Sequence, residues 1–208
     1  MAMVEMGASD KTEAGDEMGL RERSRARRRA AIQRSGMRLF AEQGYDSTTI
    51  ADIAHAAEVS PRTVSLYFPT KFDIATSYLD EAFSRLAERM EQEGPDHRSA
   101  VDVIAQWLRD ERSDYADLFA LQSEMGHANA QLRSPETPTT AAATERLVVC
   151  LATDLGRERD DATVEIVGSA IGGVMTYLSE LDMSQPDAGE KFSRALEILR
   201  TMLDSCRA

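Results

Sequence analysis

Apolar residues recur along most of the chain at intervals of three and four, the spacing that places them on one face of an α-helix. The pattern begins around Ile32 and Phe40 and is clearest over residues 164–181 and 192–203. The alternation of apolar and polar positions that predicts β-strands does not extend over any useful length. The pattern therefore predicts an all-α protein.

Start and stop signals divide the first third of the chain into short helices. Gly44 marks the end of the first helix, because glycine readily adopts the left-handed backbone that closes a helix. Thr49 followed by Asp52 has the form of a capping box at a helix N-terminus. Ser60-Pro61 is a second start signal, and Pro69 ends the helix that it begins.

The two short helices between Gly44 and Pro69 have the spacing of a helix-turn-helix, since only Ala57, Glu58 and Val59 join them. On a helical wheel, Val64 and Phe68 define the inward face of the second helix. Its outward face and the flanks of that face carry Arg62, Thr63, Ser65, Leu66 and Tyr67.

An outward face of this composition suits the major groove of DNA. Arginine forks two hydrogen bonds onto guanine, threonine bonds a base or a phosphate, and leucine packs on a thymine methyl group. Lys71 falls in the first turn of the next helix, where free backbone N–H groups also attract anions. An unspecialised helical corner in a bundle has the same spacing, so this alternative stays open here. The predicted DNA contacts are Arg28, Thr49, Arg62, Thr63, Ser65, Leu66, Tyr67 and Lys71.

Charge is distributed unevenly along the 208 residues. The whole chain has a formal net charge of -12 and a pI near 4.8, which argue against a nucleic-acid partner. Residues 1–20 carry a net charge of -4, residues 21–73 carry +4, and residues 74–208 carry -12. The positive excess, mostly arginine, therefore lies in one short segment, and this asymmetry indicates a polyanionic partner better than the total does. A solvated helix face is the alternative explanation.

A resemblance to a known family covers about 55 residues, from about residue 35 to residue 90, without gaps. The stretch is similar to the DNA-binding domain of TetR-type transcriptional repressors. The residues that carry the resemblance are Leu39-Phe40, Gly44-Tyr45, Thr48, Asp52-Ile53-Ala54, Ala57, Val59-Ser60, Thr63, Tyr67-Phe68-Pro69 and Lys71.

The resemblance implies a homodimer that binds a palindromic operator in double-stranded DNA and is released when a small molecule occupies the C-terminal domain. The acidic N-terminus and the lack of a long apolar run separately predict a cytoplasmic protein. Two departures limit what is carried over. The family often has glycine where Glu58 stands, and glycine and tyrosine where Arg62 and Ser65 stand. The operator sequence therefore cannot be inferred from the resemblance, and neither can the sign of regulation, since an activator has the same architecture.

The arginine-rich segment 21–29 precedes the predicted DNA-binding domain and is therefore interpreted as an arm that contacts DNA. We expect it to contact phosphates or to enter the adjacent minor groove, as basic arms do. Residues 1–20 are expected to be a disordered acidic tail that could compete with DNA for this arm. The predicted domains are the tail at 1–20, the three-helix DNA-binding domain with its arm at 21–73, and a helical effector-binding and dimerisation domain at 74–208.

The last two apolar stripes are interpreted as the dimerisation pair. Two such helices from each subunit would form a four-helix interface around a two-fold axis. Gly168, Gly172 and Gly173 would allow the helices to approach closely. The alternative is that the stripes form intramolecular core. The predicted interface residues are Val167, Ile171, Val174, Leu178, Leu196, Leu199 and Leu203.

An effector pocket is expected among the middle helices, where apolar bulk and a few polar groups occur together. This composition favours an apolar or aromatic compound over a sugar or a metal. Aromatic and methionine residues at helical spacing also occur as plain core, which is the alternative for each of them. The candidate pocket residues are Trp107, Tyr115, Phe119, Met125, His127, Met175 and Tyr177.

Other classes of protein are disfavoured by the sequence. The cysteines Cys150 and Cys206 form no CxxC pair, so neither a zinc site nor a disulfide scaffold is expected. His55 and Glu58 are one helical turn apart, but two groups cannot complete a metal site. No catalytic motif or cofactor-binding loop is present, no apolar run of about 18 uncharged residues occurs, and the N-terminus is acidic. We therefore expect no enzyme, cofactor, metal or membrane span; a helical partner-binding protein is the remaining alternative.

Overall fold

A computed structural model describes residues 9–92, 99–181 and 185–207, with side chains from residue 19 onwards. All regular secondary structure in these ranges is helical, which confirms the all-α prediction. The chain divides into two compact units, residues 1–75 and 76–208. The sequence placed the boundary between residues 73 and 74. This boundary and the one between residues 75 and 76 lie inside the same helix.

Helices follow one another with short connections throughout the described ranges. Their bounds are α1 (Ser9–Gln43), α2 (Ile50–Ala56), α3 (Pro61–Tyr67), α4 (Lys71–Gln92), α5 (Ala100–Asp114), α6 (Ala116–Ala128), α7 (Pro138–Leu155), α8 (Ala162–Glu180) and α9 (Ala188–Cys206), with a short 3-10 helix at Ala130–Leu132.

The termini of the short helices follow the signals read from the sequence. Gly44 has a φ of 88° directly after α1. The side chain of Thr49 caps α2 in a reciprocal capping box with Asp52, and the hydroxyl of Ser60 accepts from the backbone N–H of Thr63 at the start of α3. Satisfying these orphan donors fixes where each helix begins, and therefore which side chains face outward.

The start of α1 differs from the expectation for the N-terminus. Residues 9–20, expected to be part of a disordered tail, belong to α1, while residues 1–8 lie outside the described residues. No proline or capping signal separates this segment from the arginine-rich stretch, so the helix continues in the N-terminal direction.

The first unit is held together by a small apolar core in which α1 closely approaches α4. A Cβ added at Gly36 would lie 2.5 Å from Cγ2 of Ile74, so only glycine fits at this crossing. The fully or almost fully buried side chains include Ile32, Met37, Phe40, Ile53, Val64, Phe68 and Ile74.

The second unit is a bundle in which α8 packs against α7 and α9. The segment Ala162–Ser179 of α8 is long and apolar enough to cross a membrane by length and composition alone, and 22% of it is buried. No such segment was expected from the sequence, because Glu165 interrupts the uncharged run. A core helix passes the same test, and α8 has core contacts on one side.

The expected dimer residues turn out to be internal. Six of the seven are almost completely buried within the single chain, and the seventh, Val174, is half-buried. The prediction of an interface is therefore wrong for these six side chains and stays a prediction for Val174. The physical reason is that α8 and α9 turn their most regular apolar stripes towards each other and α7. The six internal residues are Val167, Ile171, Leu178, Leu196, Leu199 and Leu203.

Candidate functional site

The seven residues of α3 separate into an inward and an outward face. Val64 is fully buried and Phe68, just after the helix, is 3% exposed, so these two side chains anchor the helix. Leu66 is 76% exposed on the opposite side, with Arg62 and Ser65 also exposed. The face predicted from the helical wheel is therefore presented to solvent.

Arg62 and Ser65 are not engaged within the chain. Neither side chain forms a hydrogen bond or an ion pair with another of the residues that the structure describes. Thr63 is different, because its hydroxyl lies 2.8 Å from the Ser60 hydroxyl and the residue is half-buried. Arg62 therefore retains all five donors of its guanidinium for a partner.

Thr49 is committed to capping α2. Its hydroxyl donates to Oδ2 of Asp52 at 2.6 Å and accepts from the Asp52 backbone N–H at 3.1 Å. The hydrogen bond from the Thr49 side chain, followed by that from its backbone N–H, lowers the pKa of Asp52. Thr49 thus fixes the start of α2, and a DNA contact would have to share its hydroxyl.

Lys71 is placed differently from the anion site expected in the first turn of α4. Its Nζ donates to the backbone carbonyls of Tyr45 at 2.6 Å and of Thr48 at 3.0 Å. It also lies 4.2 Å from the centre of the Tyr45 ring. These carbonyls belong to the α1–α2 connection, where no helix supplies donors, so the ammonium ties the connection to α4. One of its three N–H groups remains for a phosphate.

The arginine-rich part of α1 runs beside α3. The guanidinium carbon of Arg25 lies 6.0 Å from the centre of the Tyr67 ring, and that of Arg29 lies 5.0 Å from the centre of the Phe68 ring. Arg28 faces solvent, and its Nη2 donates to Oγ of Ser24 at 2.9 Å. Sequence reasoning missed Arg25 and Arg29 as partners of α3, although their i, i+4 spacing opposite two adjacent aromatic residues was the available signal.

The second unit contains a cavity of about 400 Å³. It is bounded by α4, α5, α6, α7, α8 and the connection at Ser134-Pro135. Of the predicted pocket residues, those that line it are Trp107, Phe119, His127 and Met175. Trp107 also donates its indole N–H to the carbonyl of Ala82 at 3.0 Å, which fixes its ring in the wall.

The other three predicted pocket residues do not line this cavity. Tyr115 is covered by the guanidinium of Arg85, whose carbon lies 3.9 Å from its ring centre. Met125 is fully buried in the core. Tyr177 lies 47% exposed on an outward side of α8. All three are residue types that commonly line ligand pockets, but each lies on a helix face that does not border this cavity.

A buried ionic cluster forms part of the cavity wall. Glu111 is 2% exposed and accepts two hydrogen bonds of 2.7 Å from Arg85 and one of 3.0 Å from the hydroxyl of Tyr78. Burial, and then the adjacent Glu111 carboxylate, raise the pKa of Tyr78, so its phenol stays protonated and donates. This cluster joins α4 to α5 and was not predicted.

A second apolar surface lies on the outward side of α8 and α9. Ile166 is 67% exposed and Ile198 is 52% exposed, and Tyr177 lies with Ile198 along a shallow groove. Ala170, Gly173 and Val174 also line that groove. We call the surface formed by Ile166, Ala170, Gly173, Val174, Tyr177 and Ile198 the α8–α9 outer face.

Metal-binding groups do not gather in the part of the chain that the structure describes: no three histidine, cysteine, aspartate or glutamate side chains there are close enough to hold an ion. Cys150 and Cys206 are both free and half-buried. Burial raises the pKa of the Cys150 thiol, which disfavours a reactive thiolate.

Comparisons with known proteins converge on one family. Residues 32–77 match the family described as bacterial regulatory proteins, tetR family. The HTH-type transcriptional regulator TcmR of Streptomyces glaucescens is 44% identical over 68 residues, which are 31% of this chain and 30% of that protein. The HTH-type transcriptional repressor AcnR of Corynebacterium efficiens is 26% identical over 177 residues, 83% of this chain and 90% of that protein.

The fold is shared with solved structures as well. A TetR-family transcriptional regulator from Streptomyces coelicolor superimposes with a TM-score of 0.57 at 23% identity, covering 86% of this chain and 99% of that one. The chain spans about a third of the length of TcmR. These relatives are transcriptional regulators rather than enzymes.

Proposed function

Because this chain belongs to the TetR family of bacterial transcriptional regulators, we propose that it is a cytoplasmic repressor that leaves a palindromic operator when a small molecule binds its second unit. The observation that carries the proposal is the outward face of α3, on which Arg62 and Leu66 are exposed and Arg62 is unengaged. A short helix anchored on one side and open on the other is the form that enters a major groove.

Within the proposed complex, some residues of α3 contact bases and others contact phosphates. Arg62 forks two hydrogen bonds onto a guanine, and Leu66 packs against a thymine methyl group. Thr63, Ser65 and Tyr67 are placed at the edges of this face, where phosphates border the groove. Thr49 and Lys71 hold α2 and the α1–α2 connection in place, and their remaining hydrogen-bonding groups contact the phosphate backbone of the DNA.

The arginines of α1 are assigned to phosphates rather than to the minor groove. The segment that carries them, including Arg28, is helical. A helix with side chains is about 10–12 Å wide, whereas the minor groove of B-DNA is about 6 Å wide. The helix therefore lies along the backbone, and the contacts of Arg25 and Arg29 with aromatic residues of the α3 region hold it there.

Dimerisation is assigned to the α8–α9 outer face. Its large apolar side chains remain exposed on the isolated chain, and the small residues Ala170 and Gly173 allow a second helix to approach. A two-fold partner would cover the same face on both subunits. Such a dimer reads two half-sites about 34–36 Å apart, or near a multiple of that distance.

The effector is assigned to the cavity bounded by α4 to α8. The cavity has the size of small-molecule sites and is lined mainly by apolar and aromatic side chains. An apolar or aromatic compound that binds better to the DNA-free protein lowers the affinity of the protein for the operator. Bound operator lowers the affinity for the compound by the same factor.

The proposal is tested by selecting DNA from a random pool with the purified full chain and sequencing the bound fragments. We expect an inverted repeat with half-sites about one helical turn apart. Selected fragments without shared sequence would exclude operator recognition and favour a helical protein that binds partners through the same corner. Fragments that share a single, unrepeated half-site would instead contradict the dimer.

A further inference from the structure

Two buried oxygen atoms in the cavity wall lack a hydrogen-bond donor among the described residues. They are Oε1 of Gln122 on α6 and Oε1 of Glu180 at the end of α8. A buried acceptor without a donor destabilises the protein, because it has lost its hydrogen bonds to water without replacing them. Such atoms in a cavity indicate where a bound molecule is expected to donate.

The orientation of the Gln122 amide is set by the backbone. Its Nε2 donates to the carbonyl of Leu132, although the bond is long at 3.4 Å. Turning the amide over would place Oε1 against that carbonyl and leave two acceptors facing each other. Oε1 is therefore the atom available to a molecule in the cavity.

Glu180 has a neighbouring cation but not a complete set of donors. Its Oε1 lies 3.1 Å from Nε of Arg133, which balances the charge, yet the N–H is not aimed so as to form a hydrogen bond. Glu111, the other carboxylate of the wall, is satisfied by Arg85 and Tyr78. Of the two acids, only Glu180 still needs a donor.

The charges already present favour a neutral molecule. Arg133 compensates Glu180 and Arg85 compensates Glu111, so a cation would add a buried charge without a counterion. An anion would meet two carboxylates. Most of the remaining wall is apolar or aromatic, with some hydroxyl-bearing side chains and His127 among them. Phe83 and Trp107 lie 5.6 Å apart between ring centres, and this part of the wall suits a ring system.

We propose that the effector is a neutral aromatic compound bearing hydroxyl groups, which donate to Oε1 of Gln122 and Oε1 of Glu180 while the ring packs on the aromatic wall. The assignment rests on the proposed effector function of this cavity and specifies the chemistry of its ligand. It requires no covalent step.

The test compares an apolar cation with three probes that share one ring system. Calorimetry on the full chain measures the affinity for 2,6-dihydroxynaphthalene, its dimethyl ether 2,6-dimethoxynaphthalene, and the dianion naphthalene-2,6-dicarboxylate, with dodecyltrimethylammonium as an apolar cation. We expect the diol to bind about tenfold more tightly than the ether, which has the same ring but no donor. The dianion and the cation are expected to bind more weakly than the diol.

Variants locate the two contacts. Gln122→Met and Glu180→Gln should each weaken binding of the diol by about threefold, which together account for the tenfold advantage of the diol, and both should leave the affinity for the ether unchanged. Gln131→Met and Glu165→Gln, at exposed positions outside the cavity, are the matched controls and should bind both probes as the parent does. Thermal unfolding of unliganded Gln122→Met should occur at the same temperature or higher, because the variant removes an unsatisfied acceptor.

Equal affinity for the diol and the ether, tightest binding by the dianion or the cation, or no binding by any probe would overturn the assignment. So would a marked loss of stability in Gln122→Met, since the amide would then be structural. Anisotropy of the selected operator separates the two proposals. If the diol binds as expected but does not release DNA, the ligand chemistry stands and the effector function fails. If DNA binds but no probe does, the ligand chemistry fails alone.

Discussion

The guanidinium of Arg85 donates through Nε and Nη2 to both carboxylate oxygens of Glu111, each at 2.7 Å. Glu111 is almost completely buried, while the side chain of Arg85 is 24% exposed. The pair joins α4 to α5 at the wall of the cavity. A buried carboxylate depends on its cation, because without Arg85 the Glu111 charge would be buried with no counterion and only the Tyr78 hydroxyl as a hydrogen-bond partner.

Replacing Arg85 with methionine should lower the free energy of unfolding by about 3 kcal/mol, measured by urea denaturation. The double variant Arg85→Met/Glu111→Gln should recover most of the loss, because no charge remains and the amide oxygen still accepts from Tyr78. Arg159→Met removes the exposed pair with Glu145 and should cost less than about 1 kcal/mol. Equal losses in the buried and exposed variants would contradict this explanation.

Glu58 in the α2–α3 turn has a φ of 54°, in the left-handed region that disfavours side chains. Glu58→Gly should therefore raise the free energy of unfolding by about 1 kcal/mol. The same change at Glu88, exposed inside α4, should lower it by about 1 kcal/mol, because glycine is a poor helix former there. Thermal or urea unfolding of both variants checks the opposite signs; a loss at position 58 would exclude backbone strain.

The capping hydrogen bonds of Thr49 should make the stability of the first unit depend on pH. They lower the pKa of Asp52 below its ordinary 3.8, so the folded state releases this proton more readily than the unfolded state. The contribution of the ionised Asp52 to the free energy of unfolding is present above its pKa in the unfolded state and is lost as the pH falls through its pKa in the folded state. Thr49→Val should raise the pKa of Asp52, followed by NMR titration of its carboxyl carbon.

The same Thr49→Val variant supplies a thermodynamic check. The difference in unfolding free energy between the parent and the variant should shrink as the pH falls below about 4. Thr144→Val removes a hydroxyl that bonds only its own helix, to the carbonyl of Thr140, and its effect should not vary with pH. A Thr49→Val effect that stayed constant from pH 7 to pH 3 would rule out the capping explanation.

The α8–α9 outer face should control the oligomeric state. Ile198→Glu is expected to raise the dimer dissociation constant by at least about tenfold, because it buries a charge in the proposed interface. Val149→Glu places the same charge on α7 at a residue that is 44% exposed and should leave the dimer intact. Sedimentation velocity over a range of concentrations measures both; dissociation by Val149→Glu alone would place the interface elsewhere.

Much of the first unit could be predicted because short-range chemistry determines it. The caps at Thr49 and Ser60, the stop at Gly44 and the inward positions of Val64 and Phe68 all depend on residues within one or two turns. The all-α class and the outward face of α3 followed from the same local information.

The second unit was predicted less well because its contacts are long-range. Helical spacing identified apolar stripes in α8 and α9 but could not say whether a stripe meets its own chain or a second copy. Arg112 shows the same limit: its guanidinium lies 4.9 Å from the ring centre of Phe119 and 5.1 Å from that of Phe192, residues of two other helices. Composition gives no sign of such a contact.

Lys71 illustrates a third kind of limit. Its position in the first turn of α4 correctly indicated a cation near the start of a helix, but its partners were internal carbonyls rather than a phosphate. Those carbonyls belong to residues 45 and 48, more than 20 positions away, and only the crossing of α1, α2 and α4 brings them within reach.

In the proposed complex, Arg62 on α3 reads base sequence, while the arginines of α1 contact only the phosphate backbone. Fluorescence anisotropy compares a selected operator with a duplex whose half-sites are scrambled, at several salt concentrations. Arg62→Ala should weaken binding to the operator by at least about tenfold and leave the scrambled duplex unaffected.

Arg27→Ala, at an exposed position of α1, is the matched comparison. It should weaken both duplexes alike and reduce the slope of log affinity against log salt by about one for each phosphate that the variant no longer neutralises. The decisive measurement is the ratio of the two affinities in the parent and in Arg62→Ala. We predict a large ratio that collapses in the variant; a parent that binds both duplexes equally, or a ratio that Arg62→Ala leaves unchanged, would contradict the claim.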